Sequence, residues 1–181
     1  MRTVNAGLFY SVDGVVSDPH LWQYDSFDAE LGAGLDQMIE RTDTVLLGRV
    51  TYSQWSEFWP GADDDFGRFI NPVQKVVVSR TLSGDLGWQG SRLAEGDLLT
   101  AVSALKESDG GDISVCGSIS IVRQLLFAGL LDTLQLMVHP VVAGSGTHLF
   151  HPGDPATRLV LQDSRTTSKG NALLSYGLRR D

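Results

Sequence analysis

Apolar and polar positions along this chain switch between the two-residue period of strands and the 3.6-residue period of helices. Thr3 to Tyr10 is an apolar run that ends at the turn pair Asp13-Gly14, and it predicts a central strand. Val15 to Tyr24 reads as a loop broken by Asp18-Pro19. Asp25 to Ile39 carries Leu31, Leu35, Met38 and Ile39 as a helical stripe, with Ser26 as its N-cap. Thr44 to Leu47 is β-branched and apolar, and it stops at Gly48 before a short helix from Val50 to Phe58 that Pro60-Gly61 ends. A helical turn near Phe66 to Ile70, a strand from Lys75 to Val78, a short strand at Ser91 to Leu93 and a helix from Asp97 to Lys106 follow. Ile113 to Cys116 is again a strand that meets glycine. Val122 to Ala128 is then helical, with Gly129 as its stop. Asp132 to Val138 alternates, with Leu134, Leu136 and Val138 facing one way, and Arg158–Asp163 and Asn171–Leu178 read as a final antiparallel pair.

The pattern is α/β with an antiparallel end. At 181 residues the chain has room for one well-buried core, and the expectation is a single domain over residues 1–181.

Chemistry concentrates where strands end. Gly48-Arg49-Val50-Thr51 places a guanidinium and a hydroxyl at a helix start, whose unpaired N–H groups attract phosphate. Cys116-Gly117-Ser118-Ile119-Ser120 forms a second junction of this kind, with Gly117 free to take a positive φ and Ser118 or Ser120 available as caps. Ser79-Arg80-Thr81 ends a third strand with another arginine and two hydroxyls. Three such ends imply one cleft at the carboxyl edge of a sheet, shaped for a di- or polyanionic cofactor.

Acids and aromatics supply the candidate substrate groups. Asp13 ends the first strand, and Asp25 and Asp28 open the first helix; each is a candidate to protonate or orient a substrate nitrogen. Acids at helix starts are also favoured simply by the dipole. Trp22, Trp55 and Trp59 are candidates to stack on a planar heterocycle, or else they pack the core.

The net charge of −8 and the lack of a basic run argue against a nucleic-acid partner, although local arginines can still hold a phosphate cofactor. No apolar run approaches membrane-spanning length, and the amino terminus does not read as a secretory signal. One cysteine, Cys116, allows no internal disulfide, which fits a cytoplasmic protein. Asp63-Asp64-Asp65 reads as a solvated loop or a helix start, and the histidines of the His148/His151/Asp154 spacing as solvent-exposed or packing residues, so no metal is expected. Gly144-Ser145-Gly146 lacks the third glycine and the helix of a dinucleotide fingerprint, and Gly-x-Ser-x-Gly and Gly-Lys-Ser/Thr motifs are absent.

Leu47-Gly48-Arg49-Val50-Thr51-Tyr52, Val77-Val78-Ser79-Arg80-Thr81, Val115-Cys116-Gly117-Ser118 and Gly146-Thr147-His148-Leu149-Phe150 resemble, in order and spacing, segments of dihydrofolate reductases. Ser11-Val12-Asp13-Gly14 is closer to the riboflavin-pathway reductase. Over essentially the whole chain the resemblance is to the RibD C-terminal, dihydrofolate-reductase-like family in its stand-alone bacterial branch. It implies a mixed, mostly parallel sheet of about eight strands with an antiparallel C-terminal edge and helices on both faces.

It also implies an NADPH-dependent reductase of a small heterocyclic substrate, of the 5-amino-6-(5-phosphoribosylamino)uracil type, and a homodimer. Arg49 and Arg80 would face the 2′-phosphate. Gly48, Thr51, Gly117, Ser118, Ile119 and Ser120 would hold the pyrophosphate and ribose, with Ser79, Thr81 and Cys116 alongside. Cys116 departs from the family's paired glycines. A pteridine or folate reductase and a non-catalytic nucleotide-binding module are the alternatives. The zinc deaminase of bifunctional RibD has no counterpart here.

Overall fold

The computed structural model describes residues 1–179. Eight strands form one sheet: β1 (Val4–Ser11), β2 (Thr42–Gly48), β3 (Gln74–Val78), β4 (Ser91–Leu93), β5 (Asp112–Cys116), β6 (Thr133–His139), β7 (Leu159–Thr166) and β8 (Ala172–Leu178). Their order is β4-β3-β2-β5-β1-β6-β8-β7. The first six run parallel, while β8 and β7 are antiparallel to their neighbours. This is the mixed sheet with an antiparallel edge that the alternation pattern predicts.

Helices α1 (Ala29–Ile39), α2 (Arg49–Phe58), α3 (Asp65–Ile70), α4 (Leu98–Glu107) and α5 (Ile119–Phe127) cover both faces. Side chains alternate across each strand, so neighbours in sequence join different cores. Leu46, Ile113, Val115, Leu134 and Leu136 pack with Leu98 and Val102 of α4 and with Ile121, Val122 and Leu125 of α5. Val45, Leu47, Val77 and Cys116 pack on the other face against Tyr52 of α2 and Ile70 of α3. Leu31 of α1 meets Met137 and Leu173 on that same face, farther along the sheet. Both faces of β6 are therefore buried, and Met137, on the side opposite Leu134 and Leu136, is only 1% exposed.

The start of α1 differs from the sequence reading. Asp28, not Ser26, is the cap, because its carboxylate accepts from Leu31 N at 2.8 Å. Ser26 is buried instead, and its hydroxyl donates to Gln23 O at 2.6 Å. The acidic triplet is structural: Asp64 caps α3, while Asp63 and Asp65 pair with Arg68.

Candidate active site

β1 outlasts β5. Their pairing stops at Gly7↔Cys116, but β1 continues to Ser11, paired only with β6. This opens a gap at the carboxyl edge between the end of β1 and the start of α5. Gly48 is matched to Val78 on β3, so the β2–α2 junction and the Ser79-Arg80-Thr81 turn leave neighbouring strands side by side. Adjacent strands lie about 4.8 Å apart, so these ends share one small surface.

The β2 and β5 junctions are tied together. Ser118 Oγ accepts from Gly48 N at 2.7 Å and donates to Thr51 Oγ1 at 3.0 Å. Ser118 stands at the N-cap of α5, but its hydroxyl makes no capping bond. Gly48 gives α2 no side-chain cap either. The other three helices are each capped by an aspartate: Asp28, Asp64 and Asp97. The two uncapped helix starts thus converge at one place and leave N–H donors for an external acceptor. Gly117 has φ +68°, and a Cβ there would sit 3.5 Å from Trp55 and 3.7 Å from Thr51.

Arg49 and Arg80 are exposed, and among the described residues neither makes an ion pair or a side-chain hydrogen bond. Ser79 Oγ accepts from Thr81 N at 3.1 Å and Leu82 N at 2.9 Å, which fixes the turn that carries Arg80. Cys116 turns its side chain into the core, and burial pushes its thiol up to about 11, so only its backbone can meet a ligand. Ile119 packs against the α5-side core and likewise offers backbone alone. Ser120 is exposed on the first turn of α5, beside a groove of about 360 Å³ lined by Leu99, Arg123, Gln124 and Phe127.

The three candidate acids part company. Asp13 accepts from Ser11 Oγ at 2.6 Å, Ala143 N at 2.9 Å and Gly144 N at 2.8 Å. These bonds pull its carboxyl down to about 2 and staple the β1 turn to the loop after β6. Asp28 caps α1 and also accepts from Lys169 N and Asn171 Nδ2. Desolvation opposes ionisation there, but those bonds and Thr167 hold its carboxyl below the usual range. Asp25 is exposed and its carboxylate has no partner among the described residues.

Asp13 sets a pH-dependent stability. Its pKa is depressed in the fold, so its contribution is complete above the unfolded value of about 3.9 and fades as pH falls toward 2. Asp13→Asn is expected to lower Tm by a constant amount from pH 5 to 8, with the gap to wild type closing below pH 4. Thermal unfolding across this range checks it, and a gap that grows in acid contradicts the staple.

The tryptophans separate as well. Trp55 packs edge-to-face on Trp59 and Phe66, with centroids 6.0 and 5.7 Å apart, and Trp59 lies tilted against Phe66 at 4.8 Å, on the flank of the Gly117 turn. Trp22 is buried beyond β1, edge-on to His139 at 5.6 Å, with its indole N–H donating to Ser17 O. The structure therefore joins two of the three.

His139, Gln23, Lys169 and Asn171 belong to this edge although the sequence pattern did not select them. His139 ends β6 fully buried, with Nδ1 2.7 Å from Ser26 Oγ and Nε2 3.1 Å from Gln23 Nε2. The Ser26 hydroxyl is already donated, so Nδ1 carries the proton and Nε2 accepts from Gln23. Burial lowers the His139 pKa, against a smaller opposing pull from Asp28. Beside it lies a cavity of about 240 Å³, lined by residues 23–26, Pro140, Val141 and Lys169.

An eight-stranded mixed sheet with helices on both faces and a carboxyl-edge cleft is the dihydrofolate-reductase-like fold seen in RibD-like reductases. The RibD C-terminal domain model matches residues 2–173, and the chain belongs to that family. Among solved structures, it is similar to a putative riboflavin biosynthesis protein from Shewanella sp. PV-4. The TM-score is 0.75 at 19% identity, over 98% of this chain and 99% of that one. It is also similar to a pyrimidine reductase-like protein from Corynebacterium diphtheriae (TM-score 0.73, 18% identity, 99% and 93% covered). A Thermotoga maritima diaminohydroxyphosphoribosylaminopyrimidine deaminase/5-amino-6-(5-phosphoribosylamino)uracil reductase matches with TM-score 0.69 at 14% identity; the chain covers 57% of its length. In sequence, the uncharacterized Bacillus subtilis (strain 168) protein YyaP is 28% identical over 148 residues (79% of this chain, 78% of YyaP). YwjB of the same strain is 29% identical over 161 residues (86% of each).

Proposed function

We propose that the protein is an NADPH-dependent reductase acting on a C=N or C=O group of a small heterocycle, of the aminopyrimidine type that the Thermotoga neighbour's name specifies. The observation that carries this is the Ser118 tie: two uncapped helix starts are held side by side, an arrangement that suits a pyrophosphate. The residues fit the cofactor. Gly48, Thr51, Gly117, Ser118 and the backbone of Ile119 and Ser120 would hold the pyrophosphate, while Arg49 and Arg80 would hold the 2′-phosphate. The groove beside Ser120 would take the adenine. The unpaired edge of β1 beyond Gly7 faces the gap in which the nicotinamide end would lie. When bound, the cofactor supplies the hydride. Of the three acids only Asp25 is free to face a substrate, and Trp55 and Trp59 wall the side nearer β2.

The test is titration with NADPH, followed by loss of NADPH absorbance when an aminopyrimidine is added. Saturable binding and oxidation support the reductase. Binding without turnover of any pyrimidine or pterin indicates a nucleotide-binding module. No binding removes the reading. Gly117→Ala forces a side chain into a left-handed turn, which costs about 1–2 kcal/mol. It is expected to weaken NADPH about tenfold while the fold survives; unchanged affinity contradicts the cradle.

The reading extends to a cytoplasmic homodimer. Among the described residues no helix is long and apolar enough to cross a membrane. Val160 and Leu161 on the edge strand β7 are 47% and 52% exposed, which supports a partner there. Sedimentation of the purified chain as a monomer would contradict the dimer.

A further inference from the structure

The cavity beside α1 lies one strand away from the nicotinamide side of β1. Val12 N, just past β1, donates to Val141 O at 2.8 Å, so the cavity wall is fastened to the end of that strand. A heterocycle placed at the end of β1 would send any substituent on its far side into this space. The charges around the cavity therefore bear on what that substituent is.

Among the described residues lining the cavity, Lys169 is the one cation, and its ammonium already donates to Asp25 O. Asp25 lines the same cavity and its carboxylate has no partner among the described residues, with Asp28 and Glu30 on the next turn of chain. A phosphate monoester carries about −1.5 to −2 at neutral pH. Sites that take such a charge use open helix N-termini, arginine forks or lysine ammoniums, in numbers that match it. Here the N-terminus of α1 is closed by Asp28, which accepts from Leu31 N. One lysine beside an unpaired carboxylate leaves a dianion unbalanced. The same pair suits a neutral hydroxyl, which accepts from the ammonium and donates to the carboxylate. Tyr24, 78% exposed at the rim and held at φ +48°, and Pro140 add apolar surface against which a sugar ring can rest.

We infer that this cavity takes an uncharged, hydroxyl-bearing arm of the substrate, held between Lys169 and Asp25, so that the heterocycle reduced by this chain carries no phosphate. The inference rests on the reductase reading above, and the experiment separates the two. The full chain is first titrated with NADP⁺ and then, saturated with it, with 5-amino-6-ribosylaminouracil and with its 5′-phosphate. Calorimetry is expected to show the riboside binding at least tenfold more tightly than the phosphate. Lys169→Gln is expected to weaken the riboside about tenfold, and Asp25→Asn to narrow the discrimination against the phosphate, a ratio that a merely structural role would leave alone. The phosphate binding as tightly as the riboside, neither compound binding, or a ratio unmoved in both variants overturns the inference with the reductase reading intact. Failure to bind NADP⁺ in the first titration takes both down.

Discussion

Arg49→Ala is expected to weaken NADPH binding about 10–100-fold while NADH affinity moves less than about twofold. The range follows from hydrogen bonds to charged groups, which contribute about 1.5–3 kcal/mol. Arg49 opens α2, one strand over from the turn that carries Arg80, and neither guanidinium is committed to an acid among the described residues. Both are therefore free to close on one phosphate. If they do, Arg80→Ala shows the same selective loss, and the double variant loses less than the two single losses added together. The signature in turnover is a raised KM for NADPH with kcat retained, because the 2′-phosphate stays remote from the hydride and binds alike in ground and transition states. Equal losses for NADPH and NADH would place Arg49 at the pyrophosphate or nowhere in the site.

The contrast between the two edges of the cleft explains how much the sequence revealed. The β2–α2 and β5–α5 junctions are local features. An apolar run, a glycine and a hydroxyl within a few residues define each, and the structure joins them through Ser118 and Gly48. The antiparallel end was legible for the same reason, since alternation over 132–138 and the apolar run at 171–178 mark consecutive strands, although both faces of β6 are buried. The His139 side was not legible. Its contacts to Ser26 and Gln23 span 113 and 116 residues, and Lys169 reaches Asp25 across 144. Nothing local marks a histidine after an apolar strand as the base of a polar network. Ser26 shows how a sound local rule fails: serine is a favoured cap, but its hydroxyl is drawn inward by Gln23 and His139, and Asp28 two residues on takes the cap. Trp22 follows the same logic, because a partner far along the chain decides which way the ring turns.

Lys75→Met is expected to produce the largest loss of stability of any substitution considered, although Lys75 lies on β3 away from the cleft. Its side chain is fully buried. The ammonium donates to Ile70 O at 2.8 Å, Asn71 O at 2.9 Å and Val73 O at 2.8 Å, and stands 4.5 Å above the Trp88 ring. Three N–H donors thus meet three carbonyls around the end of α3, where the helix dipole also favours a cation. Asn71 extends the cluster by accepting from Trp88 Nε1 at 3.0 Å and donating to Trp59 O at 2.9 Å. Methionine keeps the apolar stem but strands these carbonyls, each at a cost of about 1–3 kcal/mol. A total near 3 kcal/mol lowers Tm by about 6–12 °C in a chain of this size. The carbonyls provide no counter-charge, so burial pushes Lys75 down to about 8 from 10.5. With the folded pKa below the unfolded one, the unfolded chain holds more protons between these values, and this group's contribution to stability rises with pH there. The deficit of Lys75→Met relative to wild type should therefore widen from pH 8 to pH 10 in denaturant or thermal unfolding. A deficit under 1 kcal/mol at pH 7, or one that shrinks as pH climbs, would mean that α3 finds other partners for its carbonyls and that the placement of Trp59 does not depend on this lysine.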